Sequence, residues 1–380
     1  MRRTYTVLCC LLVLFVWVGC RKVFEHGAIS DSTSLLVVEG IINPSGQTNI
    51  YLSRSQKLSE LGVAKVEKGA KLQVEGTNNE IFTLTESQAG VYSLPPSNFK
   101  TGQQYRLRIK TAAGNEYLSE LMPVRTSPPI DSVIWKLEND GVGIYVNAHD
   151  NNNNTRYYQW DFIETWQQRS VKYSEFIYKN GAVQARDYNE QLRLFNCWGN
   201  AISSNILIAS TTKLSADVVH QFPLTRIPNL SEKLGIRYSI LVKQYAIGKE
   251  AYEYLSLMKK NSELQGSLFD NQPSEIVGNI KSLSNPEELV IGFINISPVV
   301  EKRIFIEKNQ VPDWIFSMSC GSIVIRNNKD SLENAFSSGL NLISDYNLSP
   351  AGTIQSYNGD NAACLDCRTR GGSSTKPAFW

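Results

Sequence analysis

The stretch Ile236-Arg-Tyr-Ser-Ile-Leu-Val-Lys-Gln-Tyr245, followed by Gly248-Lys-Glu-Ala-Tyr-Glu-Tyr-Leu-Ser-Leu-Met-Lys-Lys-Asn261, sets the class of the fold. In its first part Tyr238, Ile240 and Val242 fall on one side, with Arg237, Ser239 and Lys243 on the other. That is the period of a strand with one buried face. Leu241 and Tyr245 break the polarity of the second side, so both faces are expected to be partly covered. In the second part Ala251, Leu255 and Met258 recur at helical spacing. Glu250 and Glu253 open this segment and Lys259 and Lys260 close it, the order a helix dipole favours. A helix is predicted over about residues 248–265, with Gly266 as its stop. After Pro273 the β pattern resumes in Glu275-Ile-Val-Gly-Asn-Ile280 and Leu289-Val-Ile-Gly-Phe-Ile-Asn-Ile296.

Upstream, residues 35–127 carry short strand signals at the spacing of an immunoglobulin-like β-sandwich. They run from Leu35-Leu-Val-Val-Glu-Gly-Ile-Ile42 through the alternating Ala70, Leu72 and Val74 to Tyr105, Leu107 and Ile109. Gly102-Gln-Gln-Tyr105 has the form of a tyrosine corner. Arg106, Arg108 and Lys110 make either a basic stripe or a solvated strand face. Thr126-Ser-Pro-Pro129 marks a boundary. Residues 128–380 are then expected to form a larger β-rich domain with the one inserted helix, and the chain as a whole is mainly β. Within it, Tyr158, Trp160, Phe162 and Trp166 form an aromatic row. Tyr158, Trp160 and Trp166, together with Tyr252 and Tyr254 on the helix, are candidates for stacking on a ligand; packing in the core is the competing reading. Asp150-Asn-Asn-Asn-Asn154 faintly resembles a calcium loop, but Thr155 stands where a glycine is needed.

Arg237 to Tyr245, Lys249-Glu-Ala-Tyr-Glu-Tyr254, Gln272-Pro273, Gly278-Asn-Ile280, Cys364-Leu-Asp-Cys367 and the closing Lys376-Pro-Ala-Phe-Trp380 together resemble the domain-of-unknown-function family 4249, exported lipoproteins of Bacteroidota. That family has no agreed activity. The resemblance implies an envelope lipoprotein, often accessory to a TonB-dependent outer-membrane transporter.

The amino terminus reads the same way. Arg2-Arg3 and the apolar run Val7–Val18 form the two regions of a signal segment over residues 1–19. The run is shorter than the roughly 20 residues a membrane span needs. Gly19-Cys20 supplies the small residue and the thiol of a lipoprotein processing site, although Trp17 stands where leucine is usual. Cys20 is the expected lipidation site, and two or more acyl chains hold a protein in a membrane where one does not. Residues 20–34 read as a tether. An outer-membrane, lipid-anchored location is expected, on either its periplasmic or its outer side.

Arg2 and Arg3 carry the whole formal surplus of +2, so the rest of the chain is neutral and no nucleic-acid partner is implied. Beyond the signal segment and Cys20 the cysteines are Cys197, Cys320, Cys364 and Cys367. Two disulfides are the first reading for a chain exported to an oxidising compartment. A zinc site or a redox pair at Cys364-x-x-Cys367 is the alternative, and the sequence does not choose a pairing. His26, His149 and His220 have no metal or triad spacing. There is no Gly-x-Ser-x-Gly, His-Glu-x-x-His or phosphate loop, and no cofactor is expected. The expected function is non-catalytic: a ligand-binding or accessory component beside a TonB-dependent transporter. Against it stand an enzyme on an envelope polymer (glycosidase or peptidase) and a structural adhesin. An acidic pair in a deep cleft would favour the enzyme, and a pocketless, elongated molecule the adhesin.

Overall fold

Apolar alternation builds this chain into three β units, seen in a computed structural model that describes residues 34–56, 62, 65–263 and 277–380. The signal segment, Cys20 and nearly all of the tether lie outside the described residues.

The first unit is one 12-stranded sheet folded over a single core. Its strand Ile81–Gln88 pairs with Lys71–Gly76 along one part and with Val91–Leu94 along another, so it carries the sheet from one layer to the other. The expected alternation holds: Leu72, Val74, Tyr105, Leu107 and Ile109 are fully buried. Tyr105 forms the corner, its hydroxyl accepting the Lys100 amide at 2.9 Å and donating to Glu80 at 3.1 Å. The basic stripe is neutralised in place. Arg106 and Arg108 both bond Glu75, at 2.8 and 2.5 Å, and Lys110 bonds Glu116 at 2.8 Å.

This sheet does not end at residue 127, where the sequence places the boundary. Ile280–Ser282 pairs with Glu116–Ser119, while Val290–Ile291 and Asn295–Ile296 run parallel to Leu36–Ile42. Ile280, Val290, Ile294 and Ile296 belong to the first core. The return is pinned by the Gly278-Asn-Ile280 motif. Asn279 is buried, its Oδ1 accepting the Ile294 amide at 2.9 Å while its Nδ2 donates to the Ile294 carbonyl at 2.8 Å. At Gly292 φ is +148°, and a Cβ there would lie 2.2 Å from the Val38 carbonyl oxygen. Only glycine allows that approach, and it breaks the expected strand 289–296 in two.

The second unit packs a three-stranded sheet, Ile130–Glu138, Gly141–His149 and Val218–Pro228, on a five-stranded one. The latter holds Asn196–Ile202, Tyr157–Arg169, Arg237–Ala246 and Val300–Glu307 in that order, with Leu207–Ser210 beside Tyr157–Arg169. Tyr238, Ile240 and Val242 point into its core, all fully buried. The predicted helix follows as Lys249–Glu263, and residues 264–276, Gly266 included, lie outside the described set. A small apolar cluster of Tyr245, Ile247 and Ala251, with Ile41 and Phe293 against it, joins helix, first unit and second unit.

The third unit was not distinguished in the sequence. Ala182–Ala185, Phe176–Lys179, Asn341–Leu348, Ile354–Asn361 and Ile323–Arg326 form a five-stranded sheet in that order, packed by the helix Lys329–Phe336. Two further short helices, Tyr188–Phe195 and Ala362–Leu365, also escape the sequence pattern. Each is started by a side-chain cap, Asp187 and Asn361 respectively, and not by a long apolar stripe. Among the described residues no helix is long and apolar enough to cross a membrane.

Candidate functional site

Alternate residues of a strand face opposite sides. Strand Tyr157–Arg169 sends Tyr158, Trp160 and Phe162 into the core of the second unit, so Gln159, Asp161 and Ile163 face outward. By register Asp161 stands opposite Lys243, and Lys243 opposite Glu301, giving a row of acid, base and acid across three strands. Tyr245 lies beside the row, opposite Gln159. Strand Leu36–Ile42 of the first unit likewise buries Leu36, Val38 and Ile42 and turns Val37, Glu39 and Ile41 outward. These two outward faces, with the helix over one side, enclose a cleft of about 1130 Å³.

The helix contributes Ala251, Tyr254, Leu255 and Met258, its inward stripe. Ile291 and Phe293 of the return segment and Tyr51 of the first unit complete the walls. One wall is therefore apolar and the floor is charged. Burial pushes the Asp161 carboxyl above its usual range, against the opposing pull of a hydrogen bond from Tyr245 and the nearby Lys243 ammonium. The Tyr245 hydroxyl is pushed far up by burial and by Asp161. Lys243 Nζ lies 3.3 Å from Glu301. The Tyr254 side chain is 7% exposed, and its buried hydroxyl has no hydrogen-bond partner of normal geometry. The Gly292 amide and the Glu39 carboxylate are its polar neighbours, and burial raises its pKa.

Of the five aromatic stacking candidates, only Tyr254 borders the cleft. Tyr158 and Trp160 are fully buried. They stack on each other at 5.6 Å, Tyr158 donating to Asp217 and Trp160 to Gln244, both at 2.9 Å. Their rings offer no face to a ligand. Trp166 is covered on one side by Gly199, where a Cβ would meet the indole at 2.4 Å, and by the Lys233 ammonium 5.0 Å from the ring. Tyr252 packs on Tyr157 at 5.1 Å. Apolar rows on a strand serve the core first, because the sheet on the other side needs them.

The four cysteines form two disulfides, Cys197–Cys367 and Cys320–Cys364. The two thiols of Cys364-x-x-Cys367 therefore join different partners, which removes both the redox pair and the four-thiolate zinc site. Asp360 lies beside Cys320 and Cys364, and with both sulfurs in a disulfide that group is no metal centre. In the Asp150–Asn154 loop the Asp150 carboxylate accepts the amides of Asn152, Asn154 and Thr155, at 3.0, 3.0 and 2.9 Å. Its oxygens hold the turn together. The closing Phe379-Trp380 packs on the second unit: Arg303 lies 3.5 Å from the Phe379 ring and Phe305 is 6.0 Å from Trp380.

The row Asp161, Lys243, Glu301 was not singled out in the sequence. Polar residues alternating on a strand look like a solvated face; the one available signal was Tyr245, an aromatic side chain on the polar side.

A family model described as a domain of unknown function, DUF4249, matches residues 24–303. No protein of curated function matches the chain. Among solved structures, a DUF4785 family protein from Legionella pneumophila is 11% identical over 55% of this chain and 51% of its own, with a TM-score of 0.18. Chitinase ChiA74 from Bacillus thuringiensis is 10% identical over 51% and 28%, with a TM-score of 0.15. The adhesin InvE of Yersinia pseudotuberculosis is 13% identical over 55% and 54%, with a TM-score of 0.14. The chain spans about half the length of the first and third of these and less of the second. None of these likenesses carries an argument about chemistry.

Proposed function

The chain belongs to the family described as domain of unknown function 4249, and from that premise we propose that it is a non-catalytic outer-membrane lipoprotein whose cleft binds a ligand beside a TonB-dependent transporter. The observation that carries the reading is the cleft itself, about 1130 Å³ of open space between two β units with one apolar wall and a charged floor. Binding sites favour such junctions of rigid units. The two disulfides suit an oxidising compartment outside the cytosol. Anchoring rests on the sequence around Cys20 alone, and the transporter on the family resemblance.

Two alternatives are weighed against it. The carboxylates Asp161 and Glu301 in one cleft are the observation in favour of a hydrolase. However, Lys243 stands between them in strand order and pairs with Glu301, and Tyr245 bonds Asp161. An adhesin that only spans distance needs no cleft at all.

The test is crosslinking of the full chain in its native cells, followed by identification of what it holds. A TonB-dependent transporter in the crosslinked product supports the proposal; its absence from repeated captures overturns the transporter part. Cys20→Ser is expected to move the protein from the membrane to the soluble fraction. Retention in the membrane would refute lipidation as the anchor.

A further inference from the structure

The charge balance of the cleft goes a step beyond the proposed ligand-binding role and rests on it. Three carboxylates, Glu39, Asp161 and Glu301, line the cleft against one ammonium, Lys243. Lys243 is taken up by Glu301. The Glu39 carboxylate makes no hydrogen bond or ion pair among the described residues, and the Asp161 carboxylate is met only by the Tyr245 hydroxyl and the more distant pull of Lys243. The site thus carries a surplus of negative charge, which opposes an anionic guest and gives a neutral sugar no electrostatic gain. The buried Tyr254 hydroxyl on the same wall makes no hydrogen bond of normal geometry and has only the Gly292 amide and the Glu39 carboxylate beside it.

The remaining walls say what the cation is attached to. Leu255, Met258, Ile291 and Phe293 are apolar, and Gln159 and Asn295 add side-chain amides that both donate and accept. A cleft of about 1130 Å³ is far larger than a single ion needs and has room for a short segment. Lysine and arginine combine an apolar stem with a charged head, and peptide groups match amide side chains.

We propose that the cleft binds a basic peptide segment, with a lysine or arginine head at Glu39 and Asp161 and apolar neighbours along Leu255, Met258 and Phe293. The segment belongs either to a free peptide or to an extended stretch of a partner protein.

The test uses the full chain in nonionic detergent and three dye-labelled pentapeptides, Leu-Lys-Phe-Lys-Leu, its acetyl-lysine counterpart and its glutamate counterpart, read by fluorescence anisotropy. The lysine peptide is expected to bind at least tenfold more tightly than either counterpart. Glu39→Gln, at an exposed position, and Asp161→Asn are each expected to weaken it about tenfold while leaving the near-ultraviolet circular dichroism unchanged. Equal binding of the three peptides, or full affinity in Glu39→Gln, overturns the proposal. A photoreactive phenylalanine at Tyr51, in the cleft, and at Leu230, away from it, separates this failure from that of the cleft. In-cell capture at Tyr51 alone, with no lysine preference, refutes the basic peptide and keeps the cleft. Equal capture, or none, at both positions refutes the cleft and the basic peptide with it. Capture of a peptide or of a folded partner at Tyr51, with lysine preference, supports the proposal and tells its two sources apart.

Discussion

Replacing Asn279 by leucine tests how the return segment holds the first unit. The side chain is buried and serves the Ile294 amide and carbonyl at 2.9 and 2.8 Å, with a further contact from Nδ2 to Met122 Sδ at 3.3 Å. Leucine fills a similar volume, so little cavity is created, yet both Ile294 backbone groups lose their partner in a fully buried place. Each buried unsatisfied group costs about 1–3 kcal/mol, so the pair comes to roughly 2–6 kcal/mol. Against a domain stability of ~5–15 kcal/mol this is a large loss. With a urea slope of about 1–3 kcal/mol/M the midpoint is expected to fall by roughly 2 M. The assay is urea unfolding followed by tyrosine circular dichroism, with hydrogen exchange of residues 290–296. Tryptophan fluorescence is the complementary probe, since every described tryptophan, from Trp135 onward, lies outside the first unit. Asn279→Asp is expected to be at least as damaging, because a carboxylate cannot donate to the Ile294 carbonyl. A midpoint shift below about 0.5 M in the leucine variant, or unchanged exchange at residues 290–296, would refute the hydrogen-bond argument.

Three other outcomes are expected. Cys197→Ser with Cys367→Ser removes a bridge closing 170 residues and should cost about 2–5 kcal/mol; thiol titration of the unreduced parent should find none of the four sulfurs free, and a free pair would refute the pairing. Tyr105→Phe leaves the Lys100 amide without its acceptor and should cost about 1–3 kcal/mol in thermal or urea unfolding; a neutral substitution would show that the corner contributes nothing. The hydrogen bond to Asp131, followed by its charge, raises the His149 pKa above 6.5. That contribution to stability is complete below pH 6.5 and fades as pH rises through the folded value. A stability difference between parent and His149→Gln that grows from pH 6 to pH 8 would contradict this sign.

Legibility followed the range of the interactions. The strand through Tyr238, Ile240 and Val242 and the helix with Ala251, Leu255 and Met258 were readable because each writes its own period into adjacent residues. So was Tyr105, whose partner lies five positions away. The parallel pairing of Leu36–Ile42 with Val290–Ile291 leaves no such trace: it is a contact between distant segments, and Gly278-Asn279, which pins it, reads in the sequence only as part of a strand. The third sheet was hidden for the same reason, since its strands come from 176–185 and from 323–361 with the second unit's sequence between them. The number of disulfides was readable from an even cysteine count, but the choice of partners depends on which loops the folded units bring together. The cleft was the least accessible, because its row of acid, base and acid is assembled across three strands and its roof is a helix whose narrow stripe matched core packing equally well.

The late arrival of the first unit's missing edge bears on how the protein is made. A polypeptide emerging amino end first presents Leu36–Ile42 early, but the neighbour that runs alongside it appears roughly 250 residues later. Until then one side of that strand has open backbone groups, a template for wrong association that a chaperone would have to shield. Shortened versions stopping before residue 290 would therefore fail at their beginning as well, where the sequence is intact, in addition to the strands and disulfides lost with the cut itself.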